Sequence, residues 1–271
     1  MRQQRKRLPA QKKSTPTLTE ILAGARLDSE KNYTFQIFDI LRDLIVSVRL
    51  LPGQRLSEQE IASALCASKT PVREALIRLD EVRLVRIVPQ SGTYVTQISV
   101  SRYRTACFIR LQLEIGAVRA AACAAPPLDG IGDLEANLEQ QSEALAKDDH
   151  ARLFELDEEF HRQLFVLAGL EDAWATARST QFDVNRARHI RRLYRILQGP
   201  ALLTEHAAIV EAIRARDPSR AEAALRAHIG NLDQQIDLLF KDSRLFGFID
   251  TAQAPLGPLP SGHTLRGGTT A

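Results

Sequence analysis

Apolar residues first recur at helical spacing from Tyr33, with Ile37, Ile40, Leu41 and Leu44 three or four positions apart, and the pattern stops at Leu51-Pro52-Gly53. A second helix is predicted after Leu56, where Ser57 with Glu60 forms a capping-box signature and Ile61, Ala62 and Leu65 supply the buried stripe. A third follows a very short turn. Thr70 is its expected cap and Pro71 its first helical residue, where the missing N–H leaves no bond unmade. Val72, Ala75, Leu76 and Leu79 form its apolar face. Beyond it, Leu84 to Val88 and Thr93 to Thr96 read as short strands around a Pro89-Gln90-Ser91-Gly92 hairpin turn.

After Ser101 the character changes. Almost everything to about Leu239 has helical periodicity, with breaks near Pro126-Pro127, Gly130-Gly132, Gly169, Gly199-Pro200 and Asp217-Pro218. That pattern predicts about six helices in one bundle. The expected fold is mainly α: a disordered basic tail over 1–30, a winged helix-turn-helix over 31–97, an all-helical domain over 98–242 and a flexible tail over 243–271.

Composition narrows this only a little. A chain of 271 residues, 44% hydrophobic and 25% charged, can bury one large core or two ordinary ones. No apolar run approaches the roughly 20 residues of a membrane span, and the basic N-terminus lacks the apolar core of a secretory signal. Cys66, Cys107 and Cys123 have no metal-ligand spacing, and a cytoplasmic setting is expected. The net charge of +3 is small, but six Arg or Lys residues fall within the first thirteen positions, where they can neutralise phosphates without folding.

Two short amphipathic helices joined by a tight turn fit a helix-turn-helix whose second helix enters the DNA major groove. Its exposed candidates are Ser68, Lys69, Thr70, Arg73 and Arg78. Arg73 in the first turn can meet a guanine edge with both nitrogens, while Ser68, Lys69 and Thr70 suit phosphates or a single base edge. On the wing, Arg86, Gln90, Ser91, Thr93 and Tyr94 are candidates for the backbone or minor groove. The competing reading is a plain three-helix packing unit in which Arg73 pairs with a nearby carboxylate.

The run from Leu50 to Val95, with Pro52-Gly53, "SKTPVREAL" over 68–76 and Pro89 to Val95 around Gly92, closely resembles the winged helix-turn-helix of the GntR family of bacterial regulators. The resemblance implies that Arg73 reads bases and that Ser68, Lys69, Thr70 and Glu74 orient the helix. It further implies that Arg49 and Arg55 lie near the DNA backbone and Gly92 at the wing tip. Two positions depart from the family pattern: Cys66 before the turn and Arg83 after the recognition helix both stand where Gly is usual. A left-handed backbone at Arg83 would cost roughly 1 kcal/mol.

In the helical region, Asp157 and His161 are four apart and share one helix face, while His206 and His228 fall on two further predicted helices. Such a set suits Zn, Ni or Mn if it converges, although core histidines and a surface carboxylate would read the same way. Residues from Ile98 to about Leu239 resemble the FCD domain of FadR-like GntR regulators, in its shorter VanR-like form. The matching landmarks are Arg110-x-x-Leu113-Glu114, Asp157-x-x-x-His161, Glu205-His206 and His228. This resemblance implies a divalent metal held by Asp157, His161, His206 and His228, with Arg110 facing the cavity toward an effector carboxylate. The plain alternative for Arg110 is a solvent salt bridge with Glu114. Asn185 and Arg186 are weaker effector candidates, with Arg188 beside them, and periodicity does not decide which faces inward. The usual Gly-Asn after the Asp/His helix is replaced by Gly169-Leu170-Glu171.

The function expected is a homodimeric, DNA-binding transcription regulator. By the same resemblance it reads a near-palindromic operator in double-stranded DNA and is a repressor relieved by a small organic acid at the metal. The alternatives are a DNA-binding protein that senses no metabolite and a metal-dependent enzyme. Against the enzyme, no general acid or base stands out beyond the ligands.

Overall fold

The computed structural model describes residues 16–124, 130–194, 201–240 and 243–250. The expected tails therefore lie partly outside the described residues, over 1–15 and 251–271. The chain divides into two compact units. One contains the residues up to Asp43 together with Gln54–Val95, and the other contains Leu44–Gly53 and everything from Thr96.

In the first unit, α1 (Leu18–Leu22) opens with a full capping box between Thr17 and Glu20, then α2 (Tyr33–Val46) begins. Helix α1 corrects the expectation of little fixed structure through residue 30: Leu18, Ile21 and Leu22 are buried, and the helix packs on α3 (Glu58–Ala64). Five residues are too few to hold a helix in isolation, so the apolar stripe and its docking hold it. Strand β1 (Arg55–Leu56) precedes α3 and has no signature in the sequence, since two residues carry no legible alternation. The recognition helix α4 (Lys69–Glu81) buries Val72, Ala75, Leu76 and Leu79 as expected. Its start is earlier than predicted. Ser68 is the N-cap, so Thr70 does not cap the helix and Pro71 is its third residue rather than its first. Proline is tolerated there because the first four N–H groups of a helix have no internal partner.

Strands β2 (Val85–Val88) and β3 (Gly92–Val95) form the wing hairpin, and β3 also pairs with β1, giving an antiparallel sheet in the order β1-β3-β2. Gly92 has φ +131°, and a side chain there would meet Arg55 Nε at 2.9 Å. Cys66 and Arg83, the two positions where the resemblance leads one to expect glycine, are both left-handed, with φ of 52° and 59°.

The second unit is a helical bundle. After β4 (Ile98–Ser99) come α5 (Val100–Cys123), α6 (Ile131–Ala146), α7 (His150–Leu167), α8 (Glu171–Ser179), α9 (Phe182–Leu193), α10 (Ala201–Arg214) and α11 (Pro218–Phe240). That is seven described helices rather than about six. The additional breaks fall at Lys147–Asp149, where Asp148 has φ 57°, and at Thr180–Gln181; neither contains Gly or Pro to announce it. Gly169, at φ 69°, closes α7, with Leu170 N donating back to Phe165 O at 2.8 Å.

The expected flexible tail from 243 is corrected for its described part. Strand β5 (Ile249–Asp250) adds to β4 in parallel, and Leu245 and Ile249 are buried in one cluster with Ile98, Tyr103, Val184 and Ile190. Burial of two large aliphatic side chains outweighs what the Gly/Pro-rich sequence beyond them implies. No described helix is long and apolar enough to cross a membrane.

Candidate metal centre and nucleic-acid interface

Helix α7 presents Asp157 and His161 one turn apart, α10 presents His206 and α11 presents His228. All four are buried, and their ligand atoms lie within 4.8 Å of one another. Each imidazole is oriented by its Nδ1 edge. His161 Nδ1 is 2.7 Å from Glu114 Oε2 on α5, and His228 Nδ1 is 2.8 Å from Glu205 Oε2. His206 Nδ1 is 3.0 Å from Gln141 Oε1 on α6. The Gln141 amide is itself fixed, because its Nε2 donates to Asn137 Oδ1 at 2.6 Å and Asn137 Nδ2 donates to Leu156 O at 3.1 Å.

Since all three partners are acceptors, each Nδ1 carries the proton and each Nε2 is left with a bare lone pair. Those lone pairs converge. His161 and His228 Nε2 are 3.2 Å apart, His206 Nε2 is 3.7 Å from Asp157 Oδ1, and His206 Nε2 is buried without a hydrogen-bond partner. Neutral imidazole nitrogens facing one another at this distance repel unless a cation lies among them. Three histidine nitrogens and a carboxylate oxygen are also the donors that Zn, Ni and Mn accept. The residues therefore fit a divalent metal.

The surrounding charges favour the ligating forms. Burial, followed by the neighbouring Arg110 charge, lowers His161 to about 4, and burial with His228 nearby takes His206 well below its ordinary value. Burial works to raise Asp157, but Arg188 and the neighbouring histidines outweigh it and hold the carboxyl well below the usual range. Glu114 is likewise opposed by burial, yet Arg110 and His161 bring it down to about 2.

Arg110 is not a solvent salt bridge. It is 1% exposed, its Nε donates to Glu114 Oε1 at 2.6 Å, and its Nη2 is buried with no partner. Asn185 is also buried, with its Oδ1 unpartnered. Arg186 is turned toward residues 96–99, with its Nε buried and unpartnered. Its guanidinium donates to Asp183 Oδ1 at 3.1 Å and to both the carbonyl and hydroxyl of Thr96. The α9 arginine that reaches the centre is Arg188, donating to Asp157 Oδ2 at 2.6 Å and to Glu158 Oε1 at 3.3 Å. Glu205 stands in the Glu205-His206 landmark and Arg188 beside the effector candidates Asn185 and Arg186, whereas Gln141 carries no signal in the sequence.

In the first unit, Ser68, Lys69, Thr70, Arg73, Glu74 and Arg78 are all exposed along α4, and Arg55 and Arg86 are exposed on the strands. Arg73 forms a two-pronged ion pair with Glu58 on α3, at 3.0 and 3.3 Å, and is 63% exposed. Glu74 accepts from Thr34 Oγ1 at 2.8 Å, tying α4 to α2, while Arg78 lies 4.5 Å over the Phe35 ring. Thr93 is 6% exposed, so its side chain is not available to DNA; alternation within β3 turns it inward. The Tyr94 hydroxyl makes local contacts, lying 3.0 Å from Ser91 Oγ and donating to Ser91 O at 3.3 Å. Arg49 is exposed and belongs to the second unit.

Comparison with known proteins agrees with both halves. The family described as "Bacterial regulatory proteins, gntR family" matches residues 34–95, and "FCD domain" matches residues 106–231. The HTH-type transcriptional repressor RspR of Escherichia coli K12 is 35% identical over 201 residues, 74% of this chain and 87% of its own length. A regulator in an unstable DNA locus of Streptomyces ambofaciens is 31% identical over 80% of this chain and 90% of its own. Among solved structures, a GntR transcriptional regulator from Rhodococcus sp. RHA1 superposes with TM-score 0.62 at 26% identity, covering 76% of this chain and 98% of its own. E. coli McbR/YncC, at 24% identity and TM-score 0.61 over 78% of this chain and 98% of its own, shares the fold.

Proposed function

Because the chain belongs to the GntR family of DNA-binding transcriptional regulators, with an FCD domain behind its winged head, we propose that it is a metal-bearing repressor responsive to a small organic acid. Its place among the FadR-like members, in the shorter VanR-like form, is part of that proposal. The observation that carries it is the convergence of three bare Nε2 lone pairs on Asp157. Bound there, a divalent cation supplies a Lewis-acidic point for a carboxylate.

The chain's own residues supply the rest. Glu114, Glu205 and Gln141 hold the imidazole tautomers, and their removal acts through ligand orientation. Arg110 Nη2, buried and unpartnered, is the donor available to an anionic effector. On the other unit, Ser68, Lys69 and Thr70 suit phosphates at the start of α4, and Arg73 suits a guanine edge. One recognition helix reads few base pairs, which supports a two-fold homodimer on a near-palindromic operator. The repressor sign is supported by the E. coli relative RspR, a transcriptional repressor. Action in the cytoplasm follows from the same reading.

The test is metal analysis of the purified protein, followed by thermal melting with EDTA, metal add-back and a panel of organic acids, alongside operator binding by fluorescence anisotropy. Expected are about one divalent ion per chain, a melting temperature lowered by EDTA, and weaker operator binding with one acid. Unchanged melting under EDTA with no bound ion would overturn the metal reading. Indifference of operator binding to every acid would overturn the sensing one.

A further inference from the structure

Helix α9 touches two places that the proposed function needs to connect. At Arg188 it holds Asp157, a ligand of the candidate metal, at 2.6 Å. At Asp183 and Arg186 it holds the chain that leaves the wing. Arg186 donates to the Thr96 carbonyl and hydroxyl, and Asp183 Oδ2 accepts from Ser99 N at 3.4 Å and from Arg102 Nε at 2.7 Å. Residues two apart on a helix point in nearly opposite directions. One short rod therefore presents Arg188 to α7 and Arg186 to residues 96–99.

The grip is buried and specific. Arg186 is fully buried and Asp183 is 4% exposed. On the same helix Val184, Ala187 and Ile190 pack in one cluster with Ile98, Val100 and Ile249. On its other side the same segment is held by β5: Ile98 N donates to Phe248 O at 2.8 Å, and Gln97 Nε2 donates to Gly247 O at 3.1 Å. Closely packed interiors do not deform continuously, so a shift of the rod at one contact is passed to the other.

We propose that α9 is the transmission element of the sensor, with Arg188 reading the charge of Asp157 and Asp183 and Arg186 as positioning residues that set how tightly residues 96–99 are held. The proposal rests on the metal reading above. A cation beside Asp157 draws on the carboxylate charge that binds Arg188. Arg188 keeps Glu158, at 3.3 Å, and the Phe154 ring, at 4.5 Å, as alternative partners. The strength of the Asp157–Arg188 contact thus depends on what the centre holds, and α9 carries that dependence to the segment joining Val95.

The experiment is hydrogen exchange on the full chain, stripped with EDTA or loaded with Zn²⁺, read at the amides of residues 97–100 and 247–250, with Zn²⁺ uptake measured in parallel. In the natural protein, loading is expected to change exchange at these amides about ten-fold, within the ordinary range of coupling between sites. Asp183→Asn and Arg186→Lys touch no ligand. Both are expected to take up Zn²⁺ normally while the loading-dependent difference falls below about two-fold. A purely structural role would instead raise exchange equally in both states and preserve the difference. Arg188→Gln is expected to lose the difference and Arg188→Lys to restore part of it. Normal Zn²⁺ uptake with no change at 97–100, or an undiminished difference in Asp183→Asn and Arg186→Lys, overturns the relay alone. Failure of the natural protein to take up Zn²⁺ overturns the metal reading and the relay with it.

Discussion

His161 Nδ1 and Glu114 Oε2 lie 2.7 Å apart with neither side chain exposed to solvent, and the other Glu114 oxygen is held by Arg110 at 2.6 Å. The carboxylate thus bridges a candidate metal ligand and a buried guanidinium, and it serves them differently. For His161 it fixes the proton on Nδ1. For Arg110 it is the counter-ion that makes burial tolerable.

Two substitutions separate these roles. Glu114→Gln keeps an acceptor for His161 but removes the charge. Metal affinity is expected to fall about 10- to 100-fold, as for other changes behind a ligand, measured by competition with a chromophoric chelator. Both variants strand the Arg110 charge, and breaking a buried pair costs about 3–5 kcal/mol of stability; Glu114→Ala also takes the acceptor from His161, so its metal affinity is expected to fall below that of Glu114→Gln. Equal metal affinity in Glu114→Gln and the natural protein would remove Glu114 from the site.

Much of this centre was legible beforehand because its ligands obey helical spacing: Asp157 and His161 are four apart, and His206 and His228 sit on strongly periodic segments. The acceptors behind them were less so. Gln141 acts across 65 positions, a separation that no local pattern encodes. The direction of α9 was illegible for a related reason. Arg186, Arg188 and Arg191 all interrupt its apolar stripe, and only packing decides which guanidinium meets Asp157. The winged head read well because its turns depend on local chemistry. Its departures, Cys66 and Arg83, adopt the left-handed backbone that suits the glycine expected at each, so tertiary packing overrides local preference there. The inward face of Thr93 depends on the register of β3 with both β1 and β2, which the sequence of the turn does not reveal.

Arg73 and Glu58 give the head its own test. The ion pair is exposed, so its loss should alter stability by less than about 1 kcal/mol. Arg73→Ala is nevertheless expected to weaken operator binding by about 1–3 kcal/mol and to relax preference at one base pair. Glu58→Gln frees the guanidinium, so binding there should hold or tighten. Lys69→Ala should weaken all sequences alike and reduce the salt slope by about 0.9. Fluorescence anisotropy over a salt series reads all three. A base preference unchanged in Arg73→Ala would exclude it as a reader.

His189 sets a pH dependence away from the metal ligands. Burial first, and then the Arg192 and Arg188 charges, lower its pKa from 6.5 to about 4. The unfolded chain therefore binds the extra proton between these values and the folded chain does not. This contribution to stability is fully present above about pH 6.5 and is lost as pH falls toward 4. In His189→Gln the slope of unfolding free energy against pH should flatten by up to about one proton across that window. Urea titrations at several pH values measure it, and an unchanged slope would reassign the titration to other groups.

The segment after α11 supplies the last test. Leu245 and Ile249 are 0% and 2% exposed, and β5 completes the pairing of β4. Ending the chain after residue 242 removes both side chains from the cluster that contains Val184, Ala187 and Ile190. At about 1.5–3 kcal/mol for each large aliphatic side chain, the loss is expected to be about 3–6 kcal/mol. Ending it at 250 instead leaves both side chains and the strand in place and should leave the melting temperature unchanged. The pair of truncations therefore assigns the effect to residues 243–250 and not to the sequence beyond. If the shorter chain melts with the longer one, β5 contributes nothing to the bundle, and the grip on residues 96–99 rests on α9 alone.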